Sequence, residues 1–316
     1  MDVISFGEAL IIFSPNKPGA IRFVDSFHKS VGGAEANVLI ALARLGFKTG
    51  FISKLGDDGF GDYINSSLRS EGIDVSHVDI DSKSPTGMLF KELDHNPNPN
   101  VYYYRSNSAV TKIDVESINK ECILSGKYFH ITGITPALST NCYDATFKML
   151  KIAKSSGVKI SFDPNLRMKL WNSVEHARET MLKIASYADI IFPGLDEAEF
   201  ILGTSDIDEI CAKFHELGAK IVVIKLGENG CLISDNNIKI KVSGYKPHRI
   251  VDTVGAGDGF AAGFIAGQLQ NKSLAECGEF ANAIGAMALM VESDSCGYPT
   301  MRKLLEFMGK AKAVER

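Results

Sequence analysis

The most informative part of the chain reads Asp252-Thr-Val-Gly-Ala-Gly-Asp-Gly-Phe-Ala-Ala-Gly-Phe264, and it joins a β-rich run to a segment with helical apolar spacing. Gly255, Ala256 and Gly257 have almost no side chain, so their N–H groups can approach a ligand closely. Unpaired amides at a helix N-terminus, together with the helix dipole, favour an anion. Asp258 follows where a general base could face that anion. An ordinary Gly-rich connection gives the same pattern, so the rest of the chain must decide.

Glycine also recurs at every fourth position of this segment, at Gly259, Gly263 and Gly267. A glycine inside a helix costs about 1 kcal/mol relative to alanine. Three of them on one helix face predict that another backbone packs closely against it.

Composition indicates a globular protein. Of 316 residues, 45% are hydrophobic and 23% are charged, as in ordinary α/β domains. The formal net charge of −4 argues against a nucleic-acid or anionic-membrane surface. No segment approaches the roughly 18 consecutive apolar residues of a membrane span, and the N-terminal residues do not resemble a signal peptide. The six cysteines show no C-x-x-C pair and no metal-ligand spacing. We therefore expect a cytoplasmic protein with reduced, mostly buried thiols.

Short apolar runs and longer amphipathic segments alternate along much of the chain. The runs predict strands at 3–6, 10–13, 21–23, 49–55, 128–131, 158–162, 190–192, 220–225, 231–234 and 238–242. Helical spacing predicts helices at 34–45, 141–155, 174–187, 195–202, 207–217, 275–290 and 301–309. Nearly continuous apolar strands are typical of parallel strands buried on both faces. The pattern predicts an α/β fold, a doubly wound, mostly parallel sheet sandwiched by helices, in one domain spanning 1–316.

Two segments, 11–32 and 86–110, do not fit this alternation, and we expect them to form a small β-sheet lid. The second contains a predicted hairpin in which turn residues 94–100 separate two runs of β-formers. Alternation places Tyr103 and Arg105 on one face of the hairpin, and Tyr102 and Tyr104 on the other. Aromatic residues on both faces indicate either a lid that packs against a partner chain or a hairpin packed on the main sheet.

Ligands of open parallel sheets bind beyond the carboxyl ends of the strands. Two glycine loops, 32–33 and 255–257, suit a two-substrate site in which one loop admits a polar substrate and the other holds phosphates. Asn37 follows the first loop inside an apolar helix; taken alone, it is more often a buried structural amide than a ligand contact. The P-loop, G-x-G-x-x-G, H-E-x-x-H and G-x-S-x-G motifs are absent, which excludes the commonest NTPase, dinucleotide, zinc-protease and hydrolase sites.

These residues resemble the ribokinase-like (PfkB) carbohydrate kinase family. The resemblance rests on Gly32-Gly33-x-x-x-Asn37 and on the 252–258 stretch, with Asp163-Pro-Asn-x-Arg167 and Lys225-Leu-Gly-x-x-Gly230 between them. It covers essentially the whole chain. It implies a ribokinase-like α/β fold with a β-lid that closes on sugar and often dimerises, so we expect a homodimer through the lid. It also implies ATP and Mg²⁺ as cofactors, and it leaves open a monovalent cation such as K⁺.

The resemblance assigns roles residue by residue. Asp258 matches the catalytic base, and Gly255, Ala256 and Gly257 match the anion hole. The expected sugar contacts are Gly32, Gly33, Asn37, Tyr103, Arg105 and Arg167. The expected nucleotide contacts are Asn165, Lys225, Gly227, Gly230, Gly255, Gly257 and Asn282. Glu197 matches the glutamate of an Asn-x-x-Glu element that organises Mg²⁺ through water, although Gly194 replaces the asparagine.

The hairpin sequence Tyr102-Tyr-Tyr-Arg-Ser-Asn-Ser-Ala109 resembles that of the family's 2-keto-3-deoxygluconate kinases. Arg105 and Arg167 would suit a sugar carboxylate, because a guanidinium donates two parallel hydrogen bonds to a carboxylate. Arg105 could instead be a surface charge of the lid, and Arg167 could form an ion pair with Asp163. Fructokinases share much of this pattern and are the alternative; a non-catalytic sugar- or nucleotide-binding regulator on the same scaffold is a further one.

Overall fold

The computed structural model describes residues 1–93, 100–292 and 294–312. Most of the turn expected at 94–100 therefore lies outside the described residues. The strands are β1 (Val3–Phe6), β2 (Leu10–Pro15), β3 (Phe27–Gly32), β4 (Thr49–Gly56), β5 (Asp74–Asp81), β6 (Met88–Glu92), β7 (Asn100–Tyr104), β8 (Tyr128–Thr132), β9 (Lys159–Asp163), β10 (Ile190–Ile191), β11 (Ile221–Lys225), β12 (Cys231–Asp235) and β13 (Lys239–Val242). The helices are α1 (Ala34–Arg44), α2 (Gly59–Ser70), α3 (Lys120–Leu124), α4 (Thr140–Ser155), α5 (Val174–Ala185), α6 (Leu195–Leu202), α7 (Ile207–Glu216), α8 (Ala256–Leu269), α9 (Leu274–Ala288) and α10 (Met301–Phe307).

The central sheet has the order β13-β12-β11-β10-β9-β8-β1-β4-β5. Neighbouring strands from β11 to β5 in this order run parallel, and β12 and β13 continue the sheet as antiparallel strands. Helices cover both faces, with one apolar core around Leu39, Phe264 and Phe280 and another around Met181 and Phe214. The predicted doubly wound, mostly parallel α/β fold is confirmed.

A second sheet, the lid sheet, consists of β3, β2, β6 and β7 in that order. The parallel pair of β2 and β6 lies at its centre, and β3 and β7 are antiparallel edge strands. Leu10, Ile12 and Leu89 form an apolar inner face of this sheet, against which Tyr103 packs. The lid sheet therefore has its own small core in addition to the two cores of the central sheet.

The glycines of α8 allow it to pack closely against α9, as expected from their spacing. A methyl group at Gly263 would lie 2.7 Å from the carbonyl oxygen of Phe280, and one at Gly267 would lie 2.8 Å from Cys277 Sγ. Since real Cβ atoms almost never come so close to another heavy atom, only glycine fits at these two positions without displacement of α9. This packing fixes the direction of α8 and so the position of its N-terminus.

The strand prediction at 21–23 was wrong, because Ile21–Phe23 forms a 3-10 helix with an exposed Phe23. Strands β3 and β5 were missed in the sequence. Both are edge strands whose side chains are largely half-buried or exposed, so they lack the apolar runs that marked the buried strands. No helix among the described residues is long and apolar enough to cross a membrane.

Candidate active site

The N-terminus of α8 forms a rigid loop at the centre of the candidate site. Its N-cap residue, Gly255, has φ +82°, a conformation that favours glycine. A side chain there would also clash with the carbonyl oxygen of Asp294, and the Tyr298 hydroxyl donates to Gly255 O at 2.7 Å. The N–H groups of Ala256, Gly257 and Asp258 have no acceptor within the helix because they belong to its first turn. The geometry can therefore hold an anion at this helix start.

Asp258 lies in the first turn of α8 and is 7% exposed. Asn37 Nδ2 donates to its Oδ2 at 2.8 Å, and Asn165 Nδ2 donates to its Oδ1 at 3.3 Å. The pKa of Asp258 is raised to about 7, mainly by burial; the Asn37 hydrogen bond works against this rise, and the neighbouring carboxylates of Asp163 and Asp294 add to it. A carboxyl with a pKa near neutrality is suited to act as a general base.

Lys225 links two further acidic residues beside Asp258. Its Nζ lies 2.8 Å from Asp163 Oδ1 and 3.5 Å from Glu197 Oε2. Burial works against the ammonium charge, but the two carboxylates outweigh it and raise the pKa of Lys225. The alternative ion pair between Arg167 and Asp163 is not formed among the described residues: Asp163 Oδ1 and Oδ2 accept hydrogen bonds from Lys225, and Arg167 donates to Leu166 O.

Glu197, the residue expected to organise Mg²⁺, is already engaged by the protein. Its Oε1 accepts the N–H of Leu166 at 3.0 Å, and its Oε2 accepts the N–H of Gly194 at 2.7 Å. Burial opposes its charge, yet Lys225 and these two N–H groups lower the pKa of Glu197. Within the described ranges no three His, Cys, Asp or Glu side chains are grouped as a metal would require. A bound Mg²⁺ would therefore be held mainly by phosphates and water, and a role of Glu197 through water stays a prediction.

A cavity of about 610 Å³ lies between the lid sheet and the α8 N-terminus. Of the predicted sugar contacts, the structure brings together on its wall Gly33, Asn37, Tyr103, Arg105 and Arg167. Gly32 does not line this cavity; it ends β3, where a side chain would clash with Ile12. Asn165, expected on the nucleotide side, lies on this wall instead, beside Asp258.

Arg105 is buried, and its guanidinium forms an ion pair with Glu8, so it is not a surface charge of the lid. The Ser108 hydroxyl also donates to Glu8. Arg105 Nε has no acceptor in the described part of the chain. From the sequence, Glu8 directly follows the first strand, at the ligand-binding edge of a parallel sheet, and could either cap a loop or contact the sugar. Its ion pair with Arg105 was not predicted.

Arg167 differs from Arg105 in its surroundings. Its side chain is exposed at the cavity wall, and its Nη1 donates to the carbonyl oxygen of Leu166 at 3.3 Å. It forms no ion pair with a carboxylate of residues 1–93, 100–292 or 294–312. Arg167 therefore offers its charge to a ligand without first leaving a carboxylate of the described residues.

A second cavity, of about 660 Å³, lies on the other side of the α8 N-terminus. Of the predicted nucleotide contacts, five line it: Lys225, Gly227, Gly230, Gly257 and Asn282. Gly255, expected on the nucleotide side as well, lines only the first cavity. Asn282 Nδ2 donates to the carbonyl oxygens of Val242 and Ser243, at 3.2 and 3.1 Å, and so braces the segment after β13. The two cavities share Lys225, Thr253 and Gly257. They meet at residues Gly255–Gly257, the start of α8, which we call the anion-holding loop. Asp258 follows this loop directly.

Comparisons with known proteins show the family of this chain. Residues 1–301 match the family described as pfkB family carbohydrate kinase. A 2-dehydro-3-deoxygluconokinase of Bacillus subtilis (strain 168) is 37% identical over 317 residues, covering 100% of this chain and 98% of the relative. Fructokinase-1 of Oryza sativa subsp. japonica is 35% identical over 318 residues, covering 98% of each chain. A solved structure from E. coli, assigned as a ribokinase II in complex with ATP and Mg²⁺, has a TM-score of 0.90 at 27% identity and covers 98% of this chain and 99% of its own. The chain belongs to the pfkB family of carbohydrate kinases.

Proposed function

We propose that this kinase phosphorylates the terminal hydroxyl of 2-keto-3-deoxygluconate, also called 2-dehydro-3-deoxygluconate, with ATP as the phosphoryl donor. The observation that supports a two-substrate transfer best is the junction of the two cavities at Gly257, beside the buried carboxyl of Asp258. A sugar in the first cavity and a nucleotide in the second would place acceptor and donor on either side of one helix N-terminus. The volume of about 660 Å³ for the second cavity is sufficient for a nucleotide.

The residues at the junction of the two cavities have separate roles in an in-line phosphoryl transfer. Asp258 accepts the proton of the attacking hydroxyl, and its raised pKa matches this task. Asn37 and Asn165 hold its two oxygens in place by hydrogen bonds. The first-turn amides of α8 stabilise the negative charge of the transferring group without rearrangement, because their direction is fixed by the fold. A bound Mg²⁺ would offset the charge of the phosphates.

Arg167 supports a sugar acid as substrate rather than a neutral sugar. Its charge is unpaired within the described residues of the cavity wall, whereas the charge of Arg105 is balanced by Glu8. A carboxylate in this cavity gains a charge-assisted hydrogen bond from Arg167, and a ketose such as fructose does not. The relative from Bacillus subtilis is named as a kinase of this acid. Fructose is the alternative, supported by similarity to a fructokinase at nearly the same identity.

An assay of ADP release across sugars and sugar acids tests both the activity and the substrate. A charged hydrogen bond contributes about 1.5–3 kcal/mol, so Arg167→Ala should raise KM for the acid by about 10- to 100-fold. Its effect on fructose should stay below about 3-fold. Arg178→Ala is the matched control, because Arg178 donates to Phe200 O and lies outside both cavities.

Two results would contradict this proposal in different ways. Equal effects of Arg167→Ala on the acid and on fructose would point to a neutral sugar. Release of no ADP with any compound, despite nucleotide binding, would favour a non-catalytic regulator.

We further propose that two chains associate through the outer face of the lid sheet. Tyr102 and Tyr104 are 43% and 64% exposed, and Tyr104 packs edge-on against Phe90 at a centroid distance of 5.7 Å. Aromatic residues are enriched at protein interfaces. Light scattering should give a dimer for the native chain and a monomer for Tyr102→Lys/Tyr104→Lys; a native monomer would contradict the proposal.

A requirement for K⁺ stays a prediction, checked by comparing turnover in K⁺ and tetramethylammonium buffers.

A further inference from the structure

Lys91 is a buried lysine of the lid sheet that the proposed chemistry does not use. Its side chain is 2% exposed, and on β6 it lies on the same face as Leu89, toward the sugar cavity. Its Nζ donates to Asp252 Oδ2 at 2.8 Å and to Asp294 Oδ1 at 2.7 Å. Burial opposes the ammonium charge, but the two carboxylates raise the pKa of Lys91. The lysine therefore stays charged and held at two points.

Both carboxylates belong to segments that shape the anion-holding loop. Asp252 Oδ1 accepts the N–H of Val254 at 3.0 Å, which fixes the turn leading into Gly255. The carbonyl oxygen of Asp294 lies so close to Gly255 that a methyl group there would clash with it. The partners of Lys91 thus support the α8 N-terminus from two sides.

Stability alone does not explain this arrangement, because a buried ion pair is often no more stabilising than apolar packing of the same volume. The connection instead links the two halves of the site. Lys91 comes from the lid sheet, whose inner face borders the sugar cavity. One partner, Asp252, lies in the turn that leads into Gly255, and the other, Asp294, lies in the segment after α9 that contacts Gly255. Because the Lys91 ammonium is bonded to both aspartates, a shift of the lid sheet changes the forces on the segments that carry them, and the reverse holds as well.

We propose, resting on the proposed kinase function, that Lys91 is a positioning residue for phosphoryl transfer. Its ammonium ties the lid sheet to the anion-holding loop and so keeps the sugar hydroxyl and the Gly255–Gly257 amides in one mutual arrangement. Small errors in such an arrangement lower the rate of transfer more than they weaken the binding of either substrate.

The test is the variant Lys91→Met, which keeps most of the side-chain volume and removes the charge. We expect kcat to fall by at least about 30-fold, whereas the Kd for ADP from calorimetry changes by less than about 3-fold. A fall in nucleotide affinity that matches the fall in kcat would overturn the positioning role, since it would indicate general damage to the site.

A second variant keeps the test decisive if the unpaired carboxylates of Lys91→Met prevent folding. Lys91→Met/Asp294→Asn removes one positive and one negative charge, so the net charge of the cluster is that of the native chain. Because this variant lacks the contact between the ammonium and the two carboxylates, its kcat should be at least about 10-fold below that of the native chain. Amide hydrogen exchange should also become faster in both β6 and residues 252–257. Native kcat in this double variant would overturn the proposal, because balanced charge alone would then be sufficient.

Lys29→Met serves as the matched control. Lys29 also lies on the lid sheet, with its Nζ 4.0 Å from the centre of the Tyr63 ring, and it lines neither cavity. Its replacement should leave kcat unchanged. A native chain that turns over no sugar would overturn the proposed function and this role with it, whereas an active native chain with unaltered kcat in both Lys91 variants would overturn the role of Lys91 alone.

Discussion

The raised pKa of Asp258 predicts how the activity depends on pH. The carboxyl must be deprotonated to accept a proton, so activity is lost as the pH falls through its pKa of about 7. About half of the carboxyl is deprotonated at that pH and about a tenth one unit below it. We therefore expect kcat/KM for the sugar to fall about tenfold for each pH unit below neutrality.

The variant Asn37→Ala separates this ionisation from that of the nucleotide phosphates, which titrate in a similar range. Asn37 donates at 2.8 Å to Asp258 Oδ2. Burial raises the pKa of Asp258, and this hydrogen bond lowers it. The loss of a hydrogen bond worth about 1–2 kcal/mol to the charged form moves the pKa up by about one unit. The acid limb of the profile should move to higher pH by that amount, whatever the variant does to the absolute rate.

The measurement is kcat/KM for the sugar from ADP release at saturating nucleotide, between about pH 5.5 and pH 9. The nucleotide titrates identically with both proteins, so only a protein group can move the limb between them. A limb at the same pH in native chain and variant, or a flat native profile below neutrality, would refute Asp258 as the base.

Other predictions concern stability. Burial raises the pKa of Asp258 from 3.8 to about 7 in the folded chain, so the native chain loses stability as the pH rises between these values. Above about pH 7, Asp258→Asn should therefore be more stable than the native chain by on the order of 2–4 kcal/mol. Near about pH 4 it should be no more stable, and urea midpoints at the two pH values measure the difference. An equal difference at both pH values would contradict this. Gly263→Ala should destabilise the chain by about 1–3 kcal/mol, since its methyl group would meet the backbone of α9 at 2.7 Å; Gly59→Ala, where a methyl group meets no atom within 4 Å, is the control and should be neutral or slightly stabilising. Equal effects of the two alanines in chemical denaturation would argue against close packing of α8 on α9.

The elements that the sequence predicts correctly are those whose local signal and tertiary surroundings agree. Helix α8 is one, because Gly255 fits the left-handed N-cap and Gly263 and Gly267 fit the close contact with α9. Strand β5 is the opposite case: its polar, half-exposed residues form an edge strand only because β4 offers hydrogen bonds to it. Local pattern cannot reveal a strand of that kind.

The candidate site likewise contains features that the sequence predicts and features that it does not. Its residue types follow from motifs, and the structure brings Asn37, Asn165 and Asp258 into direct contact. The charge partners do not follow from motifs. Neither the pair of Arg105 with Glu8 nor the contacts of Lys91 has a local signature, because in each pair the residues are more than 90 positions apart and meet only once both sheets have formed.

The pair of Arg105 and Glu8 also affects how anions bind on this side of the sugar cavity. The guanidinium is neutralised at rest, so a stray phosphate or small carboxylate gains little there beyond what Glu8 already provides. A ligand carboxylate that takes the place of Glu8 at Arg105 exchanges one negative group for another. Only a molecule that also fills the remaining cavity with well-placed hydroxyls recovers the difference. The Arg105 side of the cavity is thereby a weak site for small anions, whereas Arg167 on the same wall has no carboxylate partner among the described residues.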